Sequence, residues 1–289
     1  MNDLHIVTVA TESKYYFPYL VDSCKKNGKE LEVLGYGEKW RGLNWKFKLM
    51  IDYLKKLPET DIVCFVDGYD VLCVRNLDEM REEFLRIKKE TGCKIVVAKE
   101  EHANEFVKWS ADMIFDNCKD ININAGTYIG MVNDILDILS EIQKENPEDE
   151  IDDQKILIDH CKKHSDDFYI DIYNKFFFAK VAITHELYND VEIKNNEIYV
   201  HGNKPFFIHA PGGGFLDNII IKMGYPYDSE NKVRDILYVE QITKKFWYTS
   251  AVKYIYYFLF IIFFIFTIYY LSTMKSIRKM INQLVKIIR

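Results

Sequence analysis

Residues 61–71, DIVCFVDGYDV, decide the fold. Ile62 to Val66 run without a polar break, which suits a strand buried on both faces of a sheet, and the run ends in an acidic turn, Asp67-Gly68-Tyr69-Asp70. Open α/β sheets bind ligands in the crevice at the C-terminal ends of such strands. Toward the N-terminus, Leu4–Thr11 reads as a β-branched strand, residues 14–26 as a helix and Leu31–Gly35 as another strand. Lys46–Leu57 then carries Phe47, Met50, Ile51 and Leu54 at helical spacing and stops before Pro58. Beyond the acidic turn, Leu77–Thr91 reads as a helix with a solvated Glu/Lys face and Lys94–Ala98 as a strand. This alternation predicts a parallel α/β sheet covered by helices.

The pattern continues with helices over 104–115, 132–143 and 154–162, and with strands over 168–172 and 176–184. Residues 122–127, NINAGT, are expected to interrupt regular structure, and the polar EIQKENPEDEIDD stretch from Glu141 reads as a loop within one domain. Two short runs, 190–194 and 197–201, suit a hairpin around Asn195-Asn196, and the chain must turn again at His209-Ala210-Pro211-Gly212-Gly213-Gly214.

Composition excludes some classes of function. With 48% hydrophobic residues, 13 glycines and 6 prolines in 289 residues, most of the chain is neither disordered nor collagenous. The net charge of −6 is uneven: residues 251–289 hold six bases and no acid, leaving −12 on residues 1–250. An acidic body argues against a nonspecific nucleic-acid platform, and no nucleic-acid partner is expected. Tyr254 to Met274 is uncharged for 21 residues, with tyrosines gathered at both ends. At 1.5 Å per residue it suits a helix crossing a hydrocarbon layer of about 30 Å. The expected organisation is therefore a domain over 1–245, a single transmembrane helix over 254–274 and a basic tail over 275–289. MNDLHIVTVATES lacks the basic lead and cleavage site of a secretory signal. The six cysteines show no metal-ligand rhythm and read as packed thiols, with one or more disulfides as the alternative.

Asp67 and Asp70 suit an oxygen-rich site for Mn²⁺ or Mg²⁺, a cation that would neutralise a departing diphosphate; the same pair also fits a solvated turn. An imidazole at His209 would complete a nitrogen–oxygen ligand set, although spacing alone does not bring it to the turn. Asp152 and Asp153 precede a helix, where they serve either as a site or as caps for exposed amides. His160 and His164 lie four apart without a neighbouring HExxH pattern, so they read as surface or capping residues.

The ordered set TVAT (8–11), LGYGEKWRG (34–42), VDGYDV (66–71), NAGTYIG (124–130), DDQ (152–154) and IHAPGGG (208–214) resembles the glycosyltransferase domain of the procollagen lysyl hydroxylases over about residues 4–227. The resemblance implies a GT-A-like, Rossmann-type α/β fold that binds a UDP-sugar with Mn²⁺, or Mg²⁺, and glycosylates hydroxylysine or galactosyl-hydroxylysine in a collagen-like acceptor. UDP-galactose and UDP-glucose are the implied donors.

By the same resemblance Asp67, Asp70 and His209 are metal ligands. Thr8, Thr11, Trp40, Tyr69 and Gly212 line the sugar-nucleotide side, and Lys46 supplies positive charge to the diphosphate. The connection before Lys46 is shorter than the family pattern. Asp152, Asp153 and Asn124 are the implied catalytic, acceptor-facing residues. The sequence lacks the distal iron-binding region of the hydroxylase half, so the expected activity is transfer alone, with an inactive sugar-nucleotide sensor or a membrane-bound scaffold as the alternative. The basic residues after Met274 favour a C-terminal tail inside and a lumenal catalytic body, as does the family's endoplasmic-reticulum chemistry; post-translational tail anchoring would instead keep the body cytosolic.

The full chain is expected to stay in the membrane pellet at alkaline pH while a 1–245 truncation is released; release of both would contradict the anchor.

Overall fold

The computed structural model describes residues 2–103, 105–181, 190–195, 197–212, 214–227 and 250–288. The end of the strand expected to reach Thr184, Asn196 of the hairpin turn, Gly213 and the boundary at 245 lie outside the described residues. The chain divides into two compact units, Met1–Ile242 and Thr243–Arg289.

The first unit is built on β1 (Leu4–Val9), α1 (Phe17–Lys26), β2 (Leu31–Leu34), α2 (Trp45–Leu54), β3 (Ile62–Val66), β4 (Val71–Cys73), α3 (Asp78–Thr91) and β5 (Ile95–His102). It continues with α4 (Glu105–Phe115), β6 (Ile123–Met131), α5 (Val132–Glu145), α6 (Asp153–Lys163), β7 (Phe168–Asp171), β8 (Phe177–Val181), β9 (Val191–Lys194), β10 (Glu197–Val200), β11 (Phe207–His209) and α7 (Asp217–Lys222). Nine strands form one sheet in the order β2-β1-β3-β6-β5-β8-β11-β4, with β7 also pairing β5; β9 and β10 make a separate hairpin.

β3 is buried along its whole length because both faces of the sheet are covered. Val63 and Phe65 pack into a core with Phe47, Met50, Ile51 and Leu54 of α2 and Ile135 and Leu139 of α5. Ile62, Cys64 and Val66 point the other way, toward Leu20 of α1 and Met80, Phe84 and Ile87 of α3. The two-residue alternation of a strand places successive side chains in different cores, so each must be apolar.

The expectation of a parallel sheet holds for β2-β1-β3, but the full sheet is mixed. β6 runs antiparallel to both β3 and β5, and it contains all but Asn122 of the segment expected to interrupt regular structure. Ile123 and Asn124 pair with β5 and Thr127 with β3 across a register shift at Val97/Ala98, while the Gly126 carbonyl accepts from Asp67 N–H and its N–H donates to Asn124 Oδ1. Tyr128 anchors the strand by stacking on Phe65 at 5.1 Å between ring centroids. Two three-residue strands, β4 and β11, were not visible as patterns. They pair antiparallel with His209 opposite Val71, while β11 also runs parallel to β8.

The reading of all cysteines as packed thiols is corrected at one pair. Cys118 and Cys161 form a disulfide with Cα atoms 6.0 Å apart, tying α6 to the segment before β6. Cys24, Cys64, Cys73 and Cys93 are buried and free, and burial pushes the Cys64 thiol well above its ordinary value, which makes it unreactive.

In the second unit, α8 (Ser250–Ile288) contains Tyr254–Lys275, 22 residues within which an 18-residue stretch reaches a mean hydropathy of 2.1. It is long and apolar enough to cross a membrane, by length and composition.

Replacing both Cys118 and Cys161 by Ser should lower the unfolding free energy by up to about 4 kcal/mol, the chain-entropy value for a loop of this length. Coincident guanidinium transitions of the oxidised wild type and the double variant would contradict a structural role for the bridge.

Candidate active site

β3 ends at Val66, and the backbone N–H of Asp67 donates to the Gly126 carbonyl at 2.8 Å, so the acidic turn is fixed to β6 as it leaves the sheet. Gly68 sits against β1: a Cβ there would lie 2.9 Å from the Val9 carbonyl and 3.0 Å from Thr8 Oγ1. Thr8 is therefore buried beneath the turn, inside the sheet layer. The β4–β11 pairing closes the other side, where Ala210 N–H donates to the Asp70 carbonyl at 2.9 Å. Asp70 directly precedes β4 and His209 ends β11, so the ladder that pairs Val71 with His209 brings together residues 139 positions apart.

His209 Nε2 lies 3.1 Å from Asp70 Oδ1 and 3.8 Å from Asp67 Oδ2. The imidazole is 1% exposed, and among the described residues neither of its nitrogens has a hydrogen-bond partner of acceptable geometry. One donor atom each from Asp67, Asp70 and His209 falls within 4.8 Å of the others. Burial opposes charge on His209, but Asp70 and then Asp67 outweigh it and hold its pKa above the ordinary value. A buried imidazole with unsatisfied nitrogens beside two carboxylates fits a divalent cation that accepts mixed nitrogen and oxygen ligands.

Lys46, in the first turn of α2, is 5% exposed and lies between two carboxylates. Its Nζ is 2.8 Å from Asp67 Oδ1 and 2.7 Å from Asp153 Oδ2. Burial opposes its charge, yet Asp153 and Asp67 raise its pKa well above the ordinary value, so it is an ammonium. Lys46 thus adjoins the acidic turn with its charge engaged by two carboxylates.

Asp152 and Asp153 both meet the start of α6, each accepting from the Gln154 N–H at 3.0 Å. Asp152 is the N-cap of α6 and accepts hydrogen bonds from the N–H groups of Gln154 and Lys155 at 3.0 and 3.2 Å. Asp153 is buried, and desolvation raises its pKa to about 6 against the opposing pull of Lys46.

Asn124 reaches the same region from β6. Its Nδ2 donates to Glu100 Oε2 at 2.7 Å and to Gln154 Oε1 at 3.3 Å, and its Oδ1 accepts from Gly126 N–H at 2.8 Å. Gly126 must lack a side chain, because a Cβ would stand 2.4 Å from both Asp67 Oδ2 and His209 Cε1.

On the nucleotide side implied by the resemblance, the Tyr69 hydroxyl accepts from Thr11 N–H at 2.9 Å, tying the acidic turn to the turn after β1. The Thr11 carbonyl in turn accepts from Gly37 N–H at 2.8 Å. Trp40 is exposed and packs edge-on to Trp45 at 5.7 Å. Gly212, at φ 74°, follows His209 in the turn after β11.

Three residues escaped the sequence reading. Glu100 is buried and holds Asn124 while facing His102 Nε2 at 3.2 Å. Asn44, fully buried, donates from its backbone to Asp149 and Ile151 and from its side chain to Asn146 and Glu148, clamping the loop that leads into Asp152. Glu100 and His102 form an alternating pair on one strand, a signal too common to single them out.

The family model described as PLOD GT domain matches residues 1–216. The chain belongs to that family. It is 27% identical over 234 residues to a procollagen-lysine,2-oxoglutarate 5-dioxygenase of Drosophila melanogaster, covering 74% of this chain and 31% of the relative. Over 80 residues it is 35% identical to a multifunctional procollagen lysine hydroxylase and glycosyltransferase of Caenorhabditis elegans, covering 24% and 11%. It is 26% identical over 193 residues to the human procollagen-lysine,2-oxoglutarate 5-dioxygenase 2, covering 60% and 25%. The chain thus spans less than a third of the length of these relatives. Among solved structures, a glycosyltransferase involved in glycosylation of the major capsid of PBCV-1 is similar with a TM-score of 0.46 and 11% identity, covering 73% of this chain and 95% of that one. Mouse xyloside xylosyltransferase 1 is similar with a TM-score of 0.38 and 11% identity, covering 58% and 84%. The family resemblance read from the motifs is borne out, and the PLOD GT domain is a glycosyltransferase module.

Lys46→Met should remove about 3 kcal/mol or more of stability, because Asp67 and Asp153 would lose the cation between them. Urea unfolding followed by circular dichroism checks this, and an unchanged midpoint would show that the triad does not form.

Proposed function

We propose that this chain is a metal-dependent, UDP-sugar-dependent glycosyltransferase that adds galactose or glucose to hydroxylysine or galactosyl-hydroxylysine in a collagen-like protein. The observation that carries the reading is the convergence of Asp67, Asp70 and the unsatisfied His209 imidazole at the end of β3, beside a second polar group made by Asp153, Asn124 and Glu100. In this reading Asp67, Asp70 and His209 hold Mn²⁺ or Mg²⁺, which supplies charge neutralisation for the departing diphosphate.

The chain's own groups do the remaining work. Tyr69 and Thr11 fix the wall on which the nucleotide lies, and the exposed Trp40 ring offers it an aromatic face. Gly212 lets the backbone approach the phosphates closely. Lys46 holds Asp67 and Asp153 in place with its ammonium, so the charge arrangement of the site is set before substrate arrives. Asp153 and Asn124 stand where an acceptor hydroxyl would be oriented, with Glu100 fixing the Asn124 amide and Asp152 fixing the start of α6. Thr8 supports the turn from beneath.

The proposed setting is a single-pass membrane protein of the endoplasmic reticulum with a lumenal catalytic body. The Cys118–Cys161 disulfide supports this orientation, because such bridges persist in oxidising compartments.

The test is transfer by the full chain in detergent, with Mn²⁺, UDP-galactose or UDP-glucose, and hydroxylysine or galactosyl-hydroxylysine peptides, following both UDP and peptide mass. The expected result is a peptide heavier by one hexose, with Asp70→Asn reducing the rate at least about 100-fold through loss of a metal ligand. Nucleotide-sugar binding without transfer to any of these peptides would favour the sensor reading.

A further inference from the structure

A second set of ligating side chains lies away from the cleft, where the C-terminal end of α6 packs on α5. His160 and His164 are one helical turn apart on α6, His164 being its C-cap, and their rings lie 4.6 Å apart at a tilt of 30°. Glu141 reaches them from α5, with its Oε1 at 3.4 Å from His164 Nε2. One donor atom from each of the three residues falls within 4.8 Å of the others. The histidine pair carries no HExxH pattern in the sequence; the fold brings Glu141 to it from the neighbouring helix.

The geometry suits a small transition dication. Zinc bonds of about 2.0–2.1 Å in a tetrahedral arrangement put donor atoms about 3.3 Å apart. The Glu141–His164 pair already has that spacing, and any wider pair closes by rotation of side chains that are 51% and 39% exposed. His160 provides the fixed point, being buried with its ring 6.1 Å from that of Phe168. The backbone between the two histidines is held by the Cys118–Cys161 disulfide. The neighbouring carboxylates are committed elsewhere, Glu145 to Lys163 at 2.7 Å and Asp167 to Lys94 at 3.0 Å. Glu141 is the acid that faces the imidazoles.

We propose that Glu141, His160 and His164 form a Zn²⁺-class cation site, separate from the cleft, with at least one coordination position open to solvent. Two imidazoles and one carboxylate favour zinc over magnesium or calcium, which prefer all-oxygen shells. Bound there, the cation links α5 to the end of α6 remote from Asp152 and Asp153 and stabilises the helix that presents those residues. This site is independent of the transferase reading.

The test uses the full, untagged chain in detergent, carrying Asp70→Asn to disable the cleft set, with Co²⁺ as a spectroscopic probe and Zn²⁺ as competitor. The expected result is one Co²⁺ with the visible absorption of a four- or five-coordinate ion, displaced by Zn²⁺, and a Zn²⁺-dependent rise in thermal midpoint. Adding His164→Ala or Glu141→Ala, both at partly exposed positions, should weaken Co²⁺ binding at least about tenfold and abolish the rise. Because His160 is part of the packing, the two exposed ligands carry the test, with circular dichroism confirming the fold of each variant. Co²⁺ affinity unchanged by both substitutions, or no visible absorption in the Asp70→Asn parent, would overturn the proposal.

Discussion

Lys46 lies between two carboxylates that would otherwise repel each other in a water-poor site, 2.8 Å from Asp67 and 2.7 Å from Asp153. Three elements meet at this ammonium: α2 supplies the lysine, the turn after β3 supplies Asp67 and the start of α6 supplies Asp153. A buried ion pair adds little net stability, but removing one partner is costly, so the triad acts chiefly as a constraint on relative position. The apolar layer behind it gives the constraint its rigidity. Phe47, Met50, Phe65 and Leu157 occupy the same core, and the Phe65 ring lies 5.8 Å from the lysine nitrogen.

The remaining half of the cleft depends on hydrogen-bonded strand pairing. β11 fits between β8 and β4, and this register places His209 at the acidic turn. Gly126 keeps the centre open, since any side chain there would occupy the space between Asp67 and His209. Fixed charge on one side and fixed backbone on the other produce a preorganised polar site, the condition under which electrostatic stabilisation of developing charge is most effective.

Long periodic segments were legible in the sequence. The amphipathic α2 and the uninterrupted β3 run translate directly into two-sided burial, and Asp152 before α6 could be read as a cap because its role is local. Short strands were not legible: three residues of β4 or β11 carry no period, and β6 contains Asn and Gly that favour turns unless neighbouring strands hold them. The same limit applies to the site. Asp67 and Asp70 announce themselves by position after an apolar run, whereas His209 joined them only through a motif resemblance, because its proximity depends on a distant ladder. The contact of Lys46 with Asp153, a partner 107 positions away, has no signal in the spacing. Glu100 and Asn44 gain their importance from tertiary hydrogen bonds that no spacing encodes.

The central claim is that Asp67, Asp70 and His209 form one cation site organised beside the Lys46 triad. Anomalous diffraction at the manganese edge, from crystals grown with Mn²⁺ and UDP, tests it most directly. The account predicts a peak within bonding distance of both carboxylates and of a His209 nitrogen, with Lys46 still bridging Asp67 and Asp153. A well-occupied manganese in the cleft that leaves His209 unligated, or UDP bound with no manganese between these three residues, would contradict it.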